Sequence, residues 1–180
     1  GLASEAREIL GGDLRVSVEG RRFSEGDRRR FERLGRTAYS VASMAMAETP
    51  GGDRRLVELR GVSEGYPLAG KVELSGARSL AEAFRPDGDV PGAAVEQALL
   101  DRLNLRLGDR FLVGEATFVA RAVLLSEPDR LGRSFALGPR VLTTVEAVEQ
   151  GGFLQEGLPD SGETVRIALK PDQASNAQVD

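Results

Sequence analysis

The chain contains no cysteine and no histidine. Disulfides, thiol nucleophiles, Ser-His-Asp triads and nearly all structural zinc sites are excluded together. The lack of cysteine does not fix the compartment, because extracytoplasmic domains of this size often fold without disulfides. No apolar run approaches the roughly 20 residues that a membrane-spanning helix requires, and no signal peptide is evident. An excess of positive charge is missing too: 24 Lys and Arg stand against 28 Asp and Glu, a net charge of −4. A nucleic-acid surface needs clustered cations to displace counterions, so this balance argues against one. The one basic run, Arg28-Arg29-Arg30, sits beside Glu25, Asp27 and Glu32 on a short predicted helix and reads as a solvated face. The glycine pairs Gly11-Gly12, Gly51-Gly52 and Gly151-Gly152 have no Lys-Ser/Thr after them, which excludes a phosphate-cradling loop.

Carboxylates are the only strong acid–base groups left, so any enzyme here would be a paired-carboxylate hydrolase. The candidates are Asp101, Asp109, Glu127 and Asp129. Asp109 follows a glycine in a turn, where a carboxylate usually bonds its own backbone. Glu127 and Asp129 flank Pro128, a pattern suited to a turn or a surface contact. A calcium loop needs oxygen ligands at alternating positions and a distal Glu; Asp87-Gly88-Asp89 supplies two such positions and no more. No residue is assigned a catalytic, cofactor-binding or metal-binding role.

With 180 residues, 41% of them apolar and 29% charged, the chain is long enough for a real core in one domain or two small lobes. Its ordering stretch is Gly92–Leu125. A short apolar strand, Ala93–Val95, leads into a helix carrying Leu99, Leu100 and Leu103. Asn104 suits a left-handed cap and Leu105 folds back onto the helix. Leu107-Gly108-Asp109 turns into a β-hairpin whose arms hold Phe111 with Val113 and Thr117–Leu125, joined at Gly114-Glu115. Of the few aromatics, Tyr39, Phe111 and Phe118 fall in strands and read as core, while Phe135 and Phe153 lie beside loops or glycines and are candidate contacts.

Upstream, Leu2, Ala6, Ile9 and Leu10 share a helical stripe. Leu14, Val16 and Val18 alternate as a half-buried strand. Ser24 with Asp27 opens a helix that carries Phe31 and Leu34 and stops at Gly35. Strands are expected over Thr37–Met46 and Arg54–Val62, a short one at Val72–Leu74, and a helix over Leu80–Phe84 capped by Ser79. Downstream, Phe135–Leu142 reads as a strand, Thr143 with Glu146 opens a short helix ended by Gly151, and Thr164–Leu169 is expected to rejoin the sheet of Leu14–Val18 and Arg54–Val62. Residues from Pro171 onward are polar and without periodicity, and are expected to fray. The fold class is α+β. One lobe, a mainly antiparallel sheet with packed helices, is split between 1–68 and 158–180; a β-rich lobe with short helices, 69–157, is inserted into it.

The helix followed by Leu105-x-Leu107-Gly108-Asp109, a strand, a tight turn and Phe118-x-x-Arg121-Ala122-Val123-Leu124 resembles the extracytoplasmic core domain of FtsX/MacB-type ABC transporter permeases. Glu127-Pro128-Asp129-Arg130 and Phe135-Ala136-Leu137-Gly138-Pro139-Arg140-Val141 sharpen the likeness, as do Gly11-Gly12-Asp13-Leu14 and Tyr66-Pro67-Leu68. Their order is similar to the YbbP-like subfamily over Ala3 to Leu169. The resemblance implies a non-catalytic domain in the periplasm, the split lobe nearest the membrane, cut from a protein of the bacterial inner membrane whose membrane helices lie outside this chain. It implies a cytoplasmic ABC ATPase as partner, a second permease subunit, no cofactor, and lipid or protein cargo. Glu127, Asp129, Arg130 and Phe135 are the candidate contacts with cargo or partner. The alternatives are a stand-alone secreted or surface binding module and a carboxylate-dependent hydrolase.

Overall fold

The computed structural model describes residues 5–10, 13–128 and 138–171. The strands are β1 (Glu5–Leu10), β2 (Asp13–Glu19), β3 (Gly35–Glu48), β4 (Arg54–Val62), β5 (Glu73–Ser75), β6 (Gly92–Glu96), β7 (Arg110–Val113), β8 (Ala116–Ser126), β9 (Arg140–Thr144) and β10 (Ser161–Leu169). The helices are α1 (Glu25–Leu34), α2 (Leu80–Ala83), α3 (Gln97–Leu103) and α4 (Val145–Gln150). The strands join in one sheet in the order β1-β2-β10-β3-β4-β9-β6-β8-β5, with β7 pairing both β3 and β8. Only the β4–β9 and β6–β8 pairs among these are parallel. The class is the expected one, α+β with a mainly antiparallel sheet and few helices.

Local chemistry accounts for most elements. The Ser24 side chain accepts from the Asp27 amide at 3.1 Å and the Asp27 carboxylate accepts from the Ser24 amide at 3.3 Å, a reciprocal cap that starts α1. Asn104 takes φ 52° and ends α3, and the Leu105 amide donates back to the Leu100 carbonyl at 2.9 Å. Gly114, at φ 56°, supplies the first position of the two-residue β7–β8 turn.

Two expectations change. Residues 5–10 form a strand, not a helix, pairing antiparallel with β2 from Glu5↔Val18 to Leu10↔Asp13. Two glycines alone separate these arms in sequence, so hairpin pairing satisfies the backbone of β2, which a helix would have left as a bare edge. The α4 cap is Thr144, accepting from the Ala147 amide at 3.1 Å, whereas Thr143 points inward and donates to the Gly92 carbonyl at 2.9 Å. As expected, β10 rejoins the sheet of β2 and β4, lying between β2 and β3. Of the strand expected over 135–142, the part at 135–137 lies outside the described residues, as do residues 172–180.

The sheet is covered unevenly. Leu14, Val16, Val18, Val165 and Ile167 pack beneath α1 with Phe23 and Phe31, whose rings meet edge-on at 5.0 Å. The largest core takes Val41, Val57 and Leu59 from β3 and β4 and joins them to Leu99, Leu103, Phe111, Phe118 and Val141. It therefore draws on both the 1–68 and the 69–157 segments. A smaller cluster on the other face holds Val62, Tyr66, Ala94, Leu124 and Leu142 with Ala83 of α2. Helix α4 rests on β4 at Gly61, where a Cβ would lie 2.7 Å from the Thr144 carbonyl oxygen and 2.8 Å from Val148 Cγ2. Gly61→Ala should therefore lower the stability to urea unfolding by roughly 1–3 kcal/mol through overpacking; an unchanged midpoint would show that α4 does not rest on β4 so closely.

Candidate functional site

Side chains alternate across a strand. On β4, Val57 and Leu59 enter the large core, which sends Glu58 and Arg60 to the opposite face; on β9, Val141 enters that core and Arg140 goes with Leu142 to the other side. The parallel register sets Glu58 beside Arg140. The Arg140 guanidinium donates from Nε to Glu58 Oε1 at 2.8 Å and from Nη1 to Glu127 Oε1 at 2.5 Å. Its Nη2 lies 2.6 Å from the same Glu58 oxygen. Its backbone N–H donates to Glu96 Oε1 at 2.5 Å. Tyr66 donates its hydroxyl to Glu127 Oε2 at 2.6 Å, and Arg60 Nε lies 4.0 Å from that oxygen. Arg140 is 2% exposed and the Glu127 side chain is fully covered.

Burial alone would push the Glu127 carboxyl up. The Arg140 charge, then the Arg60 charge and the Tyr66 hydrogen bond, outweigh it and hold the group below its ordinary value. Burial likewise works against the Arg140 charge, and the two facing carboxylates, Glu127 first and then Glu58, reverse the balance and raise its pKa. Glu127 and Arg140 thus each favour the charged form of the other. The arrangement ties β4, β6, β8 and β9 together.

A second buried carboxylate, Glu163 on β10, accepts from Arg28 Nη2 at 2.6 Å, Arg22 Nε at 3.0 Å and the Phe23 amide at 2.9 Å. The basic run is thereby divided. Arg28 turns inward over the Tyr39 ring at 4.8 Å, Arg30 pairs with Asp27 at 2.6 Å, and Arg29 is exposed. The expectation of a wholly solvated basic face fails because α1 lies directly over β10 and places Arg28 against its charge.

Glu127 alone among the four candidate contacts lies in the described residues, and its carboxylate points into the cluster just given; Asp129, Arg130 and Phe135 lie outside them. Phe153 is buried in the large core, its ring against Gly114 and Gly151. Asp101 is exposed and accepts from Gln97 Nε2 at 2.8 Å; Asp109 closes its own turn by accepting from the Arg106 amide at 2.9 Å. Asp87 pairs with Arg110 at 3.1 Å in a turn bridged to Val90. Among the described residues no three acidic side chains are grouped to hold a metal ion. Sequence reasoning passed over Glu58, Arg60, Tyr66 and Arg140 as site residues. The available signal was indirect: Tyr66 and Arg140 both lie in the short motifs that carried the resemblance.

No family model matches the chain. It is 27% identical over 163 residues to the uncharacterized ABC transporter permease YbbP of Escherichia coli (strain K12), covering 87% of this chain and 18% of that protein. The chain thus spans less than a fifth of the length of this curated relative. In fold it is similar to the extracellular domain of the noncanonic ABC-type transporter YknZ from Gram-positive bacteria, with a TM-score of 0.57, 14% identity, and 86% and 77% of the two chains covered. It is similar to the periplasmic region of MacB from Actinobacillus actinomycetemcomitans with a TM-score of 0.56, 13% identity, and 94% and 81% covered. The likeness of fold is thus to an extracellular and a periplasmic region, and the likeness of sequence is to an ABC transporter permease.

Because the Glu127 carboxyl is depressed in the folded chain, its stabilisation is complete above its ordinary value of 4.5 and is lost as pH falls through the lower folded value. The unfolding midpoint should therefore drop on acidification below about 4.5, and Glu127→Gln should flatten that part of the curve. Denaturant midpoints at pH 3 to 7 check this; identical acid limbs for both proteins would contradict it.

Proposed function

We propose that this chain is a non-catalytic extracytoplasmic domain of an ABC transporter permease subunit in the bacterial inner membrane. An ATPase subunit on the cytoplasmic side drives the transporter, and the domain passes that motion outward to cargo or to a partner protein. A second permease subunit and lipid-related export belong to the same proposal. The observation that carries it is the sequence likeness to a permease over 87% of the chain, joined to the likeness of fold. The charge clusters support it physically. A body that transmits displacement must resist internal shear, and directional charged hydrogen bonds fix register in a way that apolar contact does not. The division into a split lobe, 1–68 with 158–180, and an inserted lobe, 69–157, is part of this reading. None of the described helices is long and apolar enough to cross a membrane.

The hydrolase alternative gains no support, since Asp101 and Asp109 are each engaged locally and Glu127 is ion-paired. The stand-alone binding module differs from the permease in its surroundings alone. Sequencing the reading frame on both sides should reveal apolar runs of about 20 residues; a frame without them removes the permease reading. The purified chain should neither bind nor hydrolyse ATP in calorimetric and phosphate-release assays, and saturable turnover would overturn the non-catalytic role.

A further inference from the structure

We propose that the junction between β9 and β6 is a hinge line in the sheet and that Arg140 is the clamp holding it closed. The backbone ladder thins at this point. Strand β9 pairs with β4 from Glu58↔Arg140 to Val62↔Thr144, yet it pairs with β6 only at Ala94↔Leu142 and Val95↔Val141. Beyond β6 the ladder recovers, from Gly92↔Val119 to Glu96↔Leu124. Side chains bridge the thin place. At one end the Thr143 hydroxyl reaches the Gly92 carbonyl. At the other, Glu96 at the end of β6 takes the Arg140 amide, and Glu127 just after β8 takes its guanidinium, while Glu58 holds the same guanidinium from β4. Arg140 is therefore gripped from both sides of the junction at once.

The two faces of the junction hold it by different means. On the face of the large core, Val141 packs with Val95 and Leu59 in apolar contact, which is non-directional and tolerates small rotations. On the opposite face the buried charges tolerate neither tilt nor separation, because an unpaired ion there would be stranded without water. Elsewhere the two sides meet where β7 pairs β3 at Ala47↔Val113 and Glu48↔Leu112, where the Gly114 amide donates to the Met46 carbonyl at 2.9 Å, and in the large core, where Leu99 and Leu103 of α3 join Val57 and Leu59 of β4. With the clamp released, the part made of β5, β6, β7 and β8 would swing on its apolar face against the part made of β2, β3, β4, β9 and β10. This inference stands on the geometry of the chain and does not depend on the transporter reading.

Amide hydrogen exchange on the whole chain tests it, with Glu127→Gln as the mild release and Arg140→Met as the full one. Exchange at β6 and β9 should quicken on the order of tenfold while β2, β10 and α1 keep their protection. Glu163→Gln serves as the reverse control and should quicken β10 and α1 and spare β6. Because the chain has no cysteine, spin labels at Glu32→Cys on α1 and Asp101→Cys on α3 report the angle directly, and their distance distribution should broaden in Glu127→Gln. Uniform quickening of all strands, or an unchanged distribution, would reduce Arg140 to an ordinary stabilising residue and overturn the hinge. Should Arg140→Met fail to fold, Glu127→Gln alone decides.

Discussion

A guanidinium removed from water must be surrounded by acceptors, and the sheet is built around that requirement at Arg140. Dehydrating an ion costs several kcal/mol, which only close and well-oriented partners offset. Here Glu58 and Glu127 take the guanidinium from two other strands or strand ends, and Glu96 takes the Arg140 amide. The demand is positional as well as energetic. If β9 shifted by one residue against β4, Arg140 would turn into the apolar core and Val141 would face the carboxylates. The ion cluster therefore fixes the register of a short parallel pair that has little else to specify it.

Glu163 imposes a similar constraint at the other end of the molecule. Its carboxylate collects Arg22, Arg28 and the Phe23 amide, so that α1 is bound to β10 by charge as well as by the Phe23–Phe31 ring pair. Glu127 and Glu163 each join segments far apart in sequence. A chain assembled this way is held most firmly where its charges lie.

Much of the architecture was legible beforehand, and the reasons differ by element. Ser24 with Asp27, Ser79 with Glu82, and Asn104 before Leu105 announced helix ends because the atoms involved lie within a few residues of each other. The β7–β8 hairpin followed from Gly114-Glu115 between alternating strands. The stripe at Leu2, Ala6, Ile9 and Leu10 misled because so short a pattern does not show whether a strand partner waits beyond Gly11-Gly12. The place of β10 beside β3 was likewise hidden, since Val165 and Ile167 alternate equally well against any neighbour.

The charge clusters mark the limit most clearly. Val57-Glu58-Leu59-Arg60 reads as a strand with one wet face, and only the covering of that face by Tyr66, Glu127 and Arg140 makes it dry. The sequence by itself determined the local elements, the absence of thiol and imidazole chemistry, and the class of fold, because these rest on composition and on contacts between near neighbours. Which acids meet which arginines, and so where the sheet is held and where it thins, was decided by tertiary structure. Ion pairs form across distances in sequence that no local pattern encodes, and their strength depends on the exclusion of water by residues elsewhere in the chain.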